Sequence, residues 1–162
     1  MNGKTDISKK KNEANFIFNN EAISTVCIGY FINNLKVVSI PKILLVLPFV
    51  LHEPTVKKLR GNSLKRSLEE FILKNPEVIA NFNARFIDLL PLAVNSITIL
   101  KELSIIKLDR NFAYLNQDNF HPDRYRNIGE RMKNIFKAID ALCELMIESD
   151  INSFYLNLKI EL

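Results

Sequence analysis

The residues that could do chemistry are few and scattered. The chain has two histidines, His52 and His121. A histidine catalyst or metal ligand works in company: a nucleophile, a carboxylate that orients the ring, or a second ligand at a fixed spacing. No HExxH, GxSxG, paired Cys/His set or Gly-rich phosphate loop occurs here. His52 ends an apolar run and reads as a residue at a helix C-terminus, where the dipole favours an imidazolium. His121 precedes Pro122 and reads as a helix start. Glu69 with Glu70, and Asp140 with Glu144, lie along single helical segments, whereas acid–base pairs of the glycosidase kind must face each other across a pocket. Ser24, Ser63, Ser67 and Ser96 have no base paired with them in sequence. Cys27 and Cys143 are far apart, each in an apolar helical pattern, and read as buried free thiols in a reducing cytoplasm. These residues assign no catalytic, cofactor-binding or metal site. The expectation is a cytoplasmic protein that is not an enzyme and takes no cofactor.

The basic residues are the better lead. The formal net charge is only +4, but it is unevenly spread. Lys4, Lys9, Lys10 and Lys11 make the start basic. Lys57, Lys58, Arg60, Lys65 and Arg66 form a second cluster, and Arg124, Arg126, Arg131, Lys133 and Lys137 a third. The end reverses sign with Asp140, Glu144, Glu148, Asp150 and Glu161. Such clusters are either solvated helix faces or contacts for phosphate or an acidic protein surface. Lys57, Lys58, Arg60, Lys65, Arg66 and Arg110 are the candidate partner or phosphate contacts.

The elements that must position these residues are mostly helices. In 162 residues, 48% are hydrophobic and 25% charged, the balance of one globular domain with a core. Four glycines leave little room for an all-β fold. Residues 1–14 read as a flexible basic arm and residues 15–162 as a single helical domain. The first residues are polar, unlike a signal peptide. The run VVSIPKILLVLPFVL, residues 37–51, is too short for a bilayer, which needs about 20 residues, and it carries Lys42 and two prolines. A buried helix is expected there, and no membrane contact.

Helical spacing of apolar residues predicts a helix over about 19–34, then one starting near Pro41 that Pro48 kinks or shortens. Residues 55–62 read as a basic connection. Further helices are predicted at about 63–74, at 76–90 after an Asn75-Pro76 start signal, and from Pro91 to about 103. The period then changes. Residues 105–108, a turn at Asp109-Arg110-Asn111, and residues 112–115 read as a β-hairpin. A long last helix follows, from about 122 to 148, with one clean apolar stripe. The tail fits a helix capped by Asp150 or a strand equally well.

The fold class is therefore mainly α with a small β-hairpin. Helices followed by a hairpin are laid out as in a winged helix-turn-helix core, here extended by a long C-terminal helix, with the hairpin near 105–115 as the wing. The cluster from Arg60 to Arg66 and Arg110 would then touch phosphates, and DNA is a possible partner. The helix placed to read bases, 76–90, offers Arg85, Asn81 and Asn83, a thin set for major-groove recognition. Protein contact is the stronger expectation, and a DNA-binding transcriptional regulator the alternative.

Four segments carry a resemblance: NEANFIFNNEAISTVCIGYFI, PKILLVLPFVLHEPT, SLEEFILKNPEVIANFNARFIDLLP and INSFYLNLKIEL, in that order. Together they resemble the middle component of bacterial three-component ABC systems over nearly the whole chain after the basic arm. The resemblance implies an accessory protein that links an SMC- or Rad50-like ABC ATPase to an effector protein in an anti-phage conflict system. It brings no catalytic residues. It makes the last helix and the acidic tail candidates for the partner surface, with the Lys57–Arg66 cluster as the other.

Overall fold

A computed structural model describes residues 21–61, 67–116, 120–125, 129–147 and 149–161. The arm expected over 1–14 lies outside the described residues, as do Lys65 and Arg66. The described chain is mainly helical with one small antiparallel sheet. In order it runs α1 (Glu21–Leu35), β1 (Val37–Ser39), α2 (Ile40–Leu44), α3 (Val46–Val50), α4 (Glu53–Leu59), α5 (Leu68–Lys74), α6 (Pro76–Ile79), α7 (Phe82–Glu102), β2 (Ile106–Asp109), β3 (Phe112–Leu115), a 3-10 turn (Pro122–Tyr125), α8 (Glu130–Ile147) and α9 (Ile151–Asn157).

α1 is the hub. Residues Cys27, Ile28, Phe31 and Ile32 are fully buried, and the helix packs against both long helices, α7 and α8. A helix apolar on most of its circumference has to be wrapped by others. Two details fit α1 to its neighbours. A side chain at Gly29 would sit 2.8 Å from the Phe120 ring and 3.3 Å from Leu100, so glycine lets the ring approach the helix without displacement. The hydroxyls of Ser24 on α1 and Ser96 on α7 lie 2.7 Å apart in the core. On α8, Met132, Ile135, Phe136, Ile139, Leu142, Cys143 and Met146 form a buried stripe, but the helix is shorter than the one expected over 122–148: it begins at Glu130, and Pro122–Tyr125 is a separate 3-10 turn.

The helical run over 37–51 is not one helix. Val37–Ser39 is a strand, and the rest is two short helices with Leu45 between them. Ser39 is the last residue of β1 and stands at the N-cap of α2 without bonding an amide through its side chain. Residues 55–59 of the expected basic connection belong to α4. Glu53 and Pro54 open it, and Lys57 pairs with Glu53 one turn earlier at 3.0 Å.

The division expected at Pro91 falls elsewhere. α7 runs through Pro91, and the break comes earlier, at Ala80 and Asn81. Asn81 has φ 57°, a left-handed backbone that asparagine tolerates. Pro91 lies on the exposed side of α7, where the carbonyl it leaves without an amide donor meets water.

The expected hairpin forms at β2 and β3, with Asp109 inside β2 opposite Phe112, so that the turn is the two residues Arg110 and Asn111, Arg110 at φ 50°. It is part of a three-stranded sheet of order β1-β3-β2. β1 pairs with β3, Val38 opposite Ala113, and the bonds Ile40 N to Asn111 O and Leu115 N to Lys36 O extend the ladder. Val38, Ala113 and Ile106 face the core, while Val37, Lys107, Phe112 and Tyr114 are exposed.

The tail is helical. Asp150 caps α9 by accepting from Ser153 N at 3.1 Å. Tyr155 Oη donates to Pro41 O at 3.0 Å, and Glu161 N to Asn83 Oδ1 at 3.1 Å, fastening the end of the chain to α2 and α7.

A cationic cleft between α4 and α8

The first basic residues of the second cluster, Lys57 and Lys58 on α4 and Arg60 at its C-cap, point to different places. Lys57 and Arg60 line a cleft of about 190 Å³ between α4 and α8. Arg131, Asn134 and Ile135 on α8 complete it, with Val50, Glu53 and Val56 on the other side. Arg60 Nη1 donates to Asn134 Oδ1 at 2.9 Å, bridging the two helices. Lys58 lies outside the cleft and pairs with Glu77 at 3.0 Å. Arg110 stands exposed at the hairpin turn, apart from the cleft.

Three cations thus surround one carboxylate, Glu53. The hydrogen bond and charge of Lys57 hold its carboxyl below the usual carboxylate range, and the charges of Arg131 and Arg60 push in the same direction. Val50, Val56 and Ile135 are buried apolar residues at the base of the cleft. Arg131 and Asn134 were missed as candidates by sequence reasoning, because the cleft joins segments about 75 residues apart in the chain. The only signal was Arg131 in the third basic cluster.

The residues considered for catalysis are dispersed. His52 lies between α3 and α4, at the N-cap of α4 rather than simply at a helix C-terminus. Its Nδ1 is 2.8 Å from Thr55 Oγ1. Burial, and then the charge of Arg85, push its pKa down, the opposite of the dipole stabilisation expected at a helix C-terminus. His121 is exposed next to the 3-10 turn. Glu70 bonds Lys74 within α5. Ser67 is a helix cap, accepting from Glu70 N at 3.1 Å, and Ser63 lies outside the described residues. Among the described residues no group of three His, Cys, Asp or Glu is placed to hold a metal ion, and no helix is long and apolar enough to cross a membrane.

The helix that would read bases is used otherwise. Arg85 donates through Nη1 to Ala80 O and through Nη2 to Val78 O, both at 2.7 Å, so its guanidinium caps the end of α6. It also lies over the Phe82 ring, 5.3 Å from the centroid. Asn83 accepts from Glu161 N. The outer side of α7 exposes Ala84, Ile87, Pro91, Val94 and Thr98, spaced three and four apart along one stripe.

The fold and its surface thus define a small, mainly helical protein with a cationic cleft and an exposed apolar helix face. The chain belongs to the Middle Component 3 family of ABC-three component (ABC-3C) systems, whose family model matches residues 8–162. As one component of a multi-component system, it has protein partners. No curated protein and no solved structure matches the chain.

Proposed function

We propose that this chain is a non-catalytic, cytoplasmic adaptor that couples an SMC- or Rad50-like ABC ATPase to an effector protein in an anti-phage system. Its family supports the component role. The observation that carries the adaptor reading is the outer face of α7. On α7, Ile87 and Val94 are half-exposed with the exposed Pro91 between them. A stripe of this kind suits an apolar helix or sheet of a partner protein and offers nothing to base edges.

Co-expression of the tagged chain with the ATPase and effector of its own three-component system tests this reading. Affinity purification should recover both. A chain that elutes alone while both are present in the lysate overturns it. The anti-phage role predicts that cells carrying the whole system resist phage and that deleting this chain removes the resistance.

DNA contact by a winged-helix-like core has a specific observation in its favour. Arg110 is exposed at the hairpin turn, and Lys107 is exposed on the same strand pair. That reading expects mobility shifts on duplex DNA that weaken steeply with salt, since phosphate contacts release counterions. Absent or salt-insensitive binding removes it.

A further inference from the structure

We propose that the α4–α8 cleft receives a short acidic and apolar segment of a partner protein, seating one large apolar side chain on its floor and a neighbouring carboxylate on its cations. The proposal rests on the adaptor reading for the existence of a protein partner and adds where that partner docks and by what chemistry.

The floor and the rim ask for different things. Val50, Val56 and Ile135 make the floor apolar. Among the described residues the lining carries three cations, Lys57, Arg60 and Arg131, and one carboxylate, Glu53, which pairs with Lys57. Arg60 is oriented by a neutral amide, that of Asn134, rather than by an acid, so its position is fixed without cancelling its charge. A concave site of about 190 Å³ has room for one side chain and its polar neighbour, not for a nucleotide. An anchor residue in such a pocket, flanked by charge at the rim, is the usual arrangement of a small protein docking site.

Duplex DNA fits the cleft poorly. A phosphate backbone is convex and needs cations spread over a surface that it can lie against. Here the cations ring an apolar hollow, where a phosphate would lose water without gaining donors from the floor.

The test is a titration of the full, isotope-labelled chain, followed by amide chemical shifts, with the blocked peptide acetyl-Asp-Glu-Phe-Glu-Asp-amide. Shifts should centre on Val56, Asn134 and Ile135. The same peptide with lysine at every acidic position should leave them unmoved. Combining Arg60→Glu with Arg131→Glu should weaken binding about tenfold or more, while Lys107→Glu on the sheet should not. If the double variant fails to fold, Arg131→Gln alone carries the comparison with a smaller loss. Unmoved amides, equal response to the lysine peptide, or tighter shifts of the same amides with a 16-base-pair duplex each overturn the proposal. Copurification keeps the two readings apart. A chain that copurifies with its components but ignores the acidic peptide sinks the cleft alone. Peptide binding without copurification sinks the adaptor reading alone.

Discussion

Tyr30 Oη donates to Asp140 Oδ1 at 2.8 Å, and Asn34 Nδ2 donates to the same oxygen at 2.8 Å. One carboxylate thus ties two positions of α1 to the middle of α8, beside the Tyr30–Phe136 ring contact, whose centroids are 4.4 Å apart. A bond to a charged acceptor is stronger than one between neutral groups. Tyr30→Phe should therefore cost about 1–2 kcal/mol. Urea denaturation measures it, and an unchanged midpoint would show that the bond adds nothing over solvent.

Gly29→Ala adds a methyl where the Phe120 ring already sits at 2.8 Å. Alanine is the better helix former by about 1 kcal/mol, so a stabilised variant would mean that the ring simply moves aside. Overpacking in a filled core costs about 1–3 kcal/mol. A net loss of up to about 2 kcal/mol is expected, largely recovered in the Gly29→Ala, Phe120→Leu double variant. Thermal denaturation of the single and double variants decides the sign.

The two thiols are inert in the fold. Burial pushes Cys27 and Cys143 up to about 12, so neither is a thiolate at neutral pH. A thiol reagent at pH 8 should react with both at the rate of unfolding, and quickly once urea is added. The linkage has a definite sign. The unfolded thiols ionise near 9, whereas the folded ones hold their protons to about 12, so stability falls as pH rises across that window. Replacing both with alanine should flatten that limb of the stability profile.

His52 gives the opposite limb. Its folded pKa is lowered from 6.5, first by burial and then by Arg85. The unfolded chain takes up this proton before the folded one does, so the stability that His52 contributes is present above 6.5 and is lost as pH falls through the folded value. His52→Gln should reduce the drop in melting temperature between pH 7.5 and pH 5.5. An identical drop in both proteins would place the acid sensitivity elsewhere.

What could be read from the chain was local. The helical character of α1, the stripe of α8, the hairpin turn at Arg110-Asn111 and the Asp150 cap depend on residues within a few positions of each other. What was misread depends on distant partners. β1 is three residues long, too short for a period, and is a strand only because β3 lies beside it. Pro91 suggested a boundary, but an exposed proline costs less where water takes the orphaned carbonyl. The real boundary at Asn81 is held by Arg85 reaching back to Val78 and Ala80, which no helical pattern announces. The cleft was half legible. Lys57 and Arg60 stood out as a cluster, while their α8 counterparts became visible only when Arg60 met Asn134.

The sheet has a consequence for how the chain reaches this state. The hairpin closes over two residues, but Val37 must find Tyr114 across about 75 residues of intervening chain, a slow search compared with local turns. Until it does, one side of β3 is an open ladder that residues 37–39 of another copy can fill equally well. Refolding at high concentration should therefore pass through exchanged dimers that dilution resolves into single chains.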